Sequence, residues 1–374
     1  MVYFLRESTV GYRFQKVSSG AGGQTKERRH IKRYPEMEIQ DVVKIVFQSE
    51  FGGGHMIKDP SDSLNRLYRE YENIKETQRG LPVYFELIGN RLGRLYLDGI
   101  DAHLSLETVN RFFVNTAARV NSDRESFEKK LDRLRKMAKE GRLPWTAQAL
   151  EDYLEDYKAK GYHAVSHSQT YRRRYHPSYR VISEDYMTYL KVFEWLDRHL
   201  NRTDGRCIIA IDGKCGSGKS YLARLISGVY PCSVIHMDDF FLRPSQKTEE
   251  RLLEIGGNVD YERFKEEVID PLSKDAQVFE YQRYDCMQQR LGSSVRCWRK
   301  KLTVIEGSYS CHPYFGDNYD LKIFLDLDAK TQEHRILERN GAYMLTRFIN
   351  EWIPKENQYF DHFGIKEKAD MVFM

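Results

Sequence analysis

Nowhere in the 374 residues does a run of roughly 18 consecutive apolar side chains occur, the length that a membrane-spanning helix needs. The opening residues, MVYFLRESTVGYRF, place charged and polar groups where a secretory signal needs an apolar stretch of about 7–15 residues. The expectation is a soluble cytoplasmic protein without a membrane partner. Cysteine is missing from the first 206 residues, and the six present (Cys207, Cys215, Cys232, Cys286, Cys297 and Cys311) form no C-x-x-C pair. None has a histidine at zinc-finger spacing, so they read as buried or free thiols. A strong charge imbalance is also lacking. The net charge is +4, with 34 basic against 28 acidic residues in 1–200 (+6) and 25 against 27 in 201–374 (−2). So mild a basic excess is weak evidence for an anionic partner. What the chain does have is length for two ordinary cores, with 41% hydrophobic and 30% charged residues.

Residues 1–33 contain SSGAGGQTKERRH, a Gly/Ser stretch followed by charges, and read as a mobile or β-like arm. Residues 34–200 carry helical spacing, for example Val42, Val43, Ile45 and Val46, then Phe127, Leu131, Leu134 and Met137, and form a mainly α-helical domain. Segment 122–141 has Ser122 or Asp123 as a cap, acids early, bases late and Gly141 as a stop. After the polar hinge 201–205 the pattern changes to short apolar runs at 207–213, 233–240, 302–308, 321–327 and 369–373, with helical stretches between them. Such alternation predicts an α/β domain over 201–374, its parallel sheet buried on both faces.

The first of these runs leads into Gly213-Lys214-Cys215-Gly216-Ser217-Gly218-Lys219-Ser220, which satisfies G-x-x-x-x-G-K-S between a strand and a helix. In such a loop the glycines let backbone N–H groups turn in around phosphates, and the helix N-terminus adds positive potential. Lys219 would reach the β/γ-phosphates and Ser220 would ligate Mg²⁺; Cys215, Gly216, Ser217 and Tyr221 complete the expected nucleotide contacts. Catalysis then needs carboxylates, and Asp238, Asp239 and Glu306 stand at ends of predicted strands, where open α/β sheets place functional groups. Arg335, Arg339 and Arg347 follow the fourth strand on a helical stretch, either as a cationic lid over the transferring phosphate or as ordinary surface charges.

With HMDDFF (236–241), GGNVDYERF (256–264), RYDC (283–286), IEGSYS (305–310) and RILERNG (335–341) in this order behind the loop, residues 200–374 resemble the phosphoribulokinase/uridine kinase family, specifically its bacterial uridine-kinase-like members. The resemblance implies a P-loop NTPase fold with a five-stranded parallel sheet flanked by helices, as in nucleoside monophosphate kinases. It also implies ATP and Mg²⁺ as cofactors, and γ-phosphate transfer to a hydroxyl of a small molecule, a nucleoside such as uridine. By that carry-over Asp238 is the base, Glu306 the metal-linked acid, and Arg335 and Arg339 are lid residues. Phe240, Arg243, Tyr281, Tyr284, Asp285, His312 and Tyr314 fall in the segments that should surround the acceptor.

Two N-terminal features remain. FQSEFGGGHMIKD (47–59) offers Glu50 and His55 beside three glycines, either a ligand-binding loop or a helix C-cap and turn. YHAVSHSQTYRRRYHPSYR (162–180) interleaves His163, His167 and His176 with Arg172, Arg173, Arg174 and tyrosines, fit to grip a polynucleotide or a phosphorylated ligand, or merely to pack between domains. Beside the kinase stand two alternatives: an ATP-gated nucleic-acid-binding or regulatory protein, and a bifunctional enzyme with a second site near Glu50 and His55. Self-association into a homo-oligomer stays open.

Overall fold

The computed structural model describes residues 13–14, 26–74, 83–100, 104–202 and 205–374. Two compact units divide between Arg198 and His199. In the N-terminal unit, helices dominate as expected, and a four-stranded sheet accompanies them. Its strands are β1 (Arg13–Phe14), β2 (Tyr84–Gly89), β3 (Leu92–Tyr96) and β4 (Tyr179–Ser183), in the order β1-β2-β3-β4. β1 runs parallel to β2, and the other pairs are antiparallel. Most of the arm expected over 1–33 lies outside the described residues. Its last part is a correction, because Lys26–Arg33 is a helix whose His30 is buried.

Helix Arg124–Lys139 is capped by Asp123, whose carboxylate accepts from the N–H groups of Glu125 and Ser126, and it turns Phe127, Leu131, Leu134 and Met137 inward. These side chains pack on Val42, Val43, Ile45 and Val46 of helix Ile39–Phe51. That second helix is enclosed almost all round, so its polar residues Asp41, Lys44, Gln48 and Glu50 are buried too and need partners. The N–H of Gly52 bonds Gln48 O, with Gly52 at φ 61, so the glycines after Glu50 begin as a helix cap.

The C-terminal unit contains the strands β5 (Cys207–Gly213), β6 (Cys232–His236), β7 (Val278–Asp285), β8 (Arg290–Trp298), β9 (Leu302–Glu306), β10 (Leu321–Leu325) and β11 (Met371–Phe373). Five of them form one parallel sheet in the order β11-β10-β5-β9-β6, and they coincide with the five apolar runs. Every residue of β5 and β9 is buried, which is why those stretches are apolar apart from Asp212, Thr303 and Glu306. β7 and β8 pair with each other as an antiparallel ribbon outside this sheet. Strands β6 and β9 lie on one side of β5, and β10 and β11 on the other, so a crevice opens at the carboxyl ends beside β5. Among the described residues no helix is long and apolar enough to cross a membrane.

Candidate active site

Residue choice in the loop after β5 follows from space. At Gly213 (φ 136) a Cβ would stand 2.1 Å from the Leu325 carbonyl oxygen of β10, so no other residue fits there. Gly216 and Gly218 also take positive φ, and Gly218 is the N-cap of helix Lys219–Val229, whose first N–H groups face the loop. The Lys219 ammonium lies across the loop, donating to Gly213 O (2.7 Å), Lys214 O (3.0 Å) and Ser308 Oγ (3.1 Å). Concave backbone, helix terminus and lysine together form an anion cradle.

Strand-end acids meet this cradle. Ser220 Oγ donates to Glu306 Oε2 at 3.1 Å, and the other carboxylate oxygen, Oε1, is bonded to His236 Nδ1 at 2.5 Å. That bond to Glu306 is the main reason the His236 pKa is raised. A hydroxyl and a carboxylate side by side suit a hard cation such as Mg²⁺, with His236 orienting the carboxylate from behind. Asp238, in the turn Met237–Phe240 after β6, makes no side-chain hydrogen bond or ion pair among the described residues. Its carboxyl opens to solvent within crowded walls, and this desolvation raises its pKa. Lys219 pulls the other way, and Glu306 adds to the rise. An accessible yet partly desolvated carboxylate with no structural partner fits a group that acts on something else. Asp239 differs: Tyr281 Oη donates to it at 3.1 Å and Arg283 lies at 3.4 Å.

Three residues outside the eight of the loop motif hold the loop. Glu356, on helix Ile353–Phe363, accepts from the Cys215 N–H (2.9 Å) and from Ser308 Oγ (2.7 Å). Gln332 Nε2 donates to Cys215 O at 3.0 Å. Asp212 is fully buried and accepts from the N–H groups of Gly213, Tyr309 and Cys311 and from Tyr359 Oη, tying the segment after β9 to β5.

Of the expected lid residues, Arg335 donates to Gly216 O at 3.1 Å and so touches the loop. Arg339 bonds the neighbouring Asn340, and Arg347 pairs with Glu351 one turn on. Tyr221 stacks under the Arg224 guanidinium, 5.2 Å from the ring centroid. Two expected acceptor contacts need correction. Phe240 is fully buried, with Phe264 and Tyr281 against its ring and Arg263 over its face, so it is core. Asp285 accepts from the N–H groups of Met287 and Gln288 and shapes the β7–β8 turn. Tyr284 Oη is buried without a hydrogen-bond partner among the described residues, and the half-exposed Arg243 bonds Gln246. His312 is stacked between Tyr261 and Tyr359, held neutral by burial with a pKa of about 4, and its buried Nε2 has no hydrogen-bond partner among the described residues. Tyr314 packs on Tyr261.

Comparison with known proteins adds little to this geometry. No family model matches the chain, and no curated protein matches it. Among solved structures, the chain is similar to a possible uridine kinase from Bacillus stearothermophilus, at 21% identity and a TM-score of 0.39, over 49% of this chain and 100% of that one. It is also similar to a candidate fructose transport system kinase from Silicibacter sp. TM1040, at 22% identity and a TM-score of 0.39, over 46% and 92% of the two chains. A third likeness, to a Thermus thermophilus protein, has 16% identity and a TM-score of 0.25 over 45% and 88%. The fold described above rests on this chain's own strand order and phosphate loop.

Proposed function

We propose that this chain transfers the γ-phosphate of ATP to a hydroxyl group of a small molecule, with a nucleoside such as uridine as the favoured acceptor. The observation that carries the reading is the meeting, at the carboxyl ends of β5, β6 and β9, of Lys219 in its cradle, the Ser220–Glu306 pair and Asp238, which has no side-chain hydrogen bond or ion pair among the described residues. Each has a distinct part in phosphoryl transfer, which is mostly positioning and charge stabilisation. Backbone N–H groups and Lys219 bind the β/γ-phosphates. Arg335, already at Gly216, reaches over the transferring group. Asp238 accepts the acceptor hydroxyl's proton as the oxygen attacks in line. Ser220 and Glu306 would hold Mg²⁺, which when bound neutralises charge developing on the phosphate oxygens. Tyr284, Arg243 and His312 are the acceptor contacts left once Phe240 and Asp285 are removed. The nucleoside itself is supported only by the sequence resemblance.

A screen of nucleosides, vitamins and sugar acids with the intact protein and Mg-ATP, reading ADP release and phosphorylated product, tests this. Acceptor-dependent ADP release is expected. ATP hydrolysis that no acceptor stimulates would remove the kinase reading and leave an ATPase.

A further inference from the structure

Both N-terminal features of the sequence, 47–59 and 162–180, border one cavity of about 590 Å³ within the N-terminal unit. Lys44, His55, His167, Arg172 and His176 line it together with Met56, Val165 and Pro177, and among the described residues no carboxylate lines it. We propose that this cavity is a second ligand site, one that binds a phosphate-bearing small molecule through Lys44 at its floor and Arg172 at its rim.

Lys44 is buried on a helix that otherwise faces the core, and among the described residues its ammonium donates one hydrogen bond, to the Val165 carbonyl at 2.7 Å. One neutral acceptor offsets little of the cost of burying an ammonium. Its charged surroundings increase that cost. Burial first, then Arg94 and Arg172, push its pKa down to about 8, and only Asp41 opposes them. Asp41 is already engaged, by His167 Nδ1 (2.9 Å), Ser168 N–H (3.0 Å), Ser168 Oγ (2.6 Å) and Glu38 N–H (2.9 Å). The fully buried Arg94 is held by Gln48 and cannot reach out.

Arg172 has no side-chain hydrogen bond or ion pair among the described residues, and its planar fork is exposed. His167 contributes shape rather than charge, because burial keeps it neutral, with a pKa of about 3. His55 and His176 stand exposed at the margin, and burial followed by Lys44 lowers the His55 pKa. Glu50 takes no part, since Lys130, Asn90, Ser126 Oγ and the Asp123 N–H consume its carboxylate. Two cations share a concave site whose lining includes no carboxylate, and the nearby Asp41 is already bonded elsewhere, which is the electrostatic form of an anion site. The cavity is the size of a small-molecule pocket.

Inorganic pyrophosphate is the probe, measured by calorimetry on the intact protein. The phosphate loop is silenced in two ways: by Lys219→Ala, and in wild type by saturation with a non-hydrolysable ATP analogue. One further equivalent should bind in both backgrounds. Arg172→Ala, at an exposed position, should weaken it about tenfold, and Lys44→Met more, as expected when charge-assisted contacts are lost. ATP binding by Arg172→Ala should be unchanged, which reports an intact fold. The proposal fails if neither background binds pyrophosphate, or if Arg172→Ala binds it as wild type does. It fails equally if Arg172 is needed only for a single-stranded RNA oligomer, which would mark a polymer surface. Turnover enters none of these readings, so failure of the kinase proposal leaves the test intact.

Discussion

Replacing Asp238 by Asn removes one negative charge and almost no volume, and the structure gives three expectations for it. General-base assistance typically contributes about 10²–10⁴ in rate, or about 2.7–5.5 kcal/mol at about 1.36 kcal/mol per decade, and kcat should fall by that much. Stability should not fall. The carboxyl makes no hydrogen bond or ion pair among the described residues, and its raised folded-state pKa means that the folded chain holds the proton more tightly than the unfolded chain. The ionised form therefore costs stability as pH rises through that pKa, so a neutral amide should leave Tm equal or higher at pH 7. ATP affinity should be equal or better, because a carboxylate facing the phosphate site is lost. Initial rates, thermal melts and ATP titrations of the one variant check all three. Turnover within tenfold of wild type, or a clear loss of Tm, would refute the assignment of Asp238 as a base free of structural duty.

Arg335→Ala should lower kcat by about 10–10³ while Arg339→Ala stays near wild type, since only Arg335 touches the loop; equal rates for the two would remove the lid role. Gly213→Ala should destabilise the C-terminal unit by about 2–4 kcal/mol, read as a lower urea midpoint, because its Cβ would stand 2.1 Å from Leu325 O. Asp212 has its pKa raised to about 6 by burial, so its contribution to stability is largest below its unfolded value and declines as pH rises through about 6. Urea titrations should show the advantage of wild type over Asp212→Asn shrinking between pH 4 and 7; an advantage that grows would reverse the sign.

The C-terminal sheet was legible because strands buried on both faces are mostly apolar, as in CIIAIDG and LTVIE, whose acids Asp212 and Glu306 stand at or near the carboxyl ends. The β7–β8 ribbon was not, because few of its residues are buried, and VFEYQRYD reads as a polar stretch. In the N-terminal unit the β2–β3 turn uses Asn90 and Arg91, both at positive φ (48 and 55), where a glycine would have signalled a hairpin. Arg94 hid β3, since an arginine in mid-strand suggests solvent, whereas here Gln48 and the Tyr179 ring enclose it. At the candidate site, the loop and the strand-end acids carry their chemistry in short motifs. Glu356 and Gln332 do not: they reach the loop from over a hundred residues away through packing alone, and only the fold brings them there.

That distance matters during synthesis. The Cys215 N–H meets Glu356 across 141 residues, so at cellular translation rates a ribosome carries the phosphate loop for on the order of 10 s before its clamp is made. In that interval the loop is exposed and its Cys215 N–H is untied, and any nucleotide captured then would meet a looser cradle than the finished chain provides. The Cys215 tie of this loop is thus a late event in the life of the polypeptide, made by a side chain translated long after the glycines that define the loop.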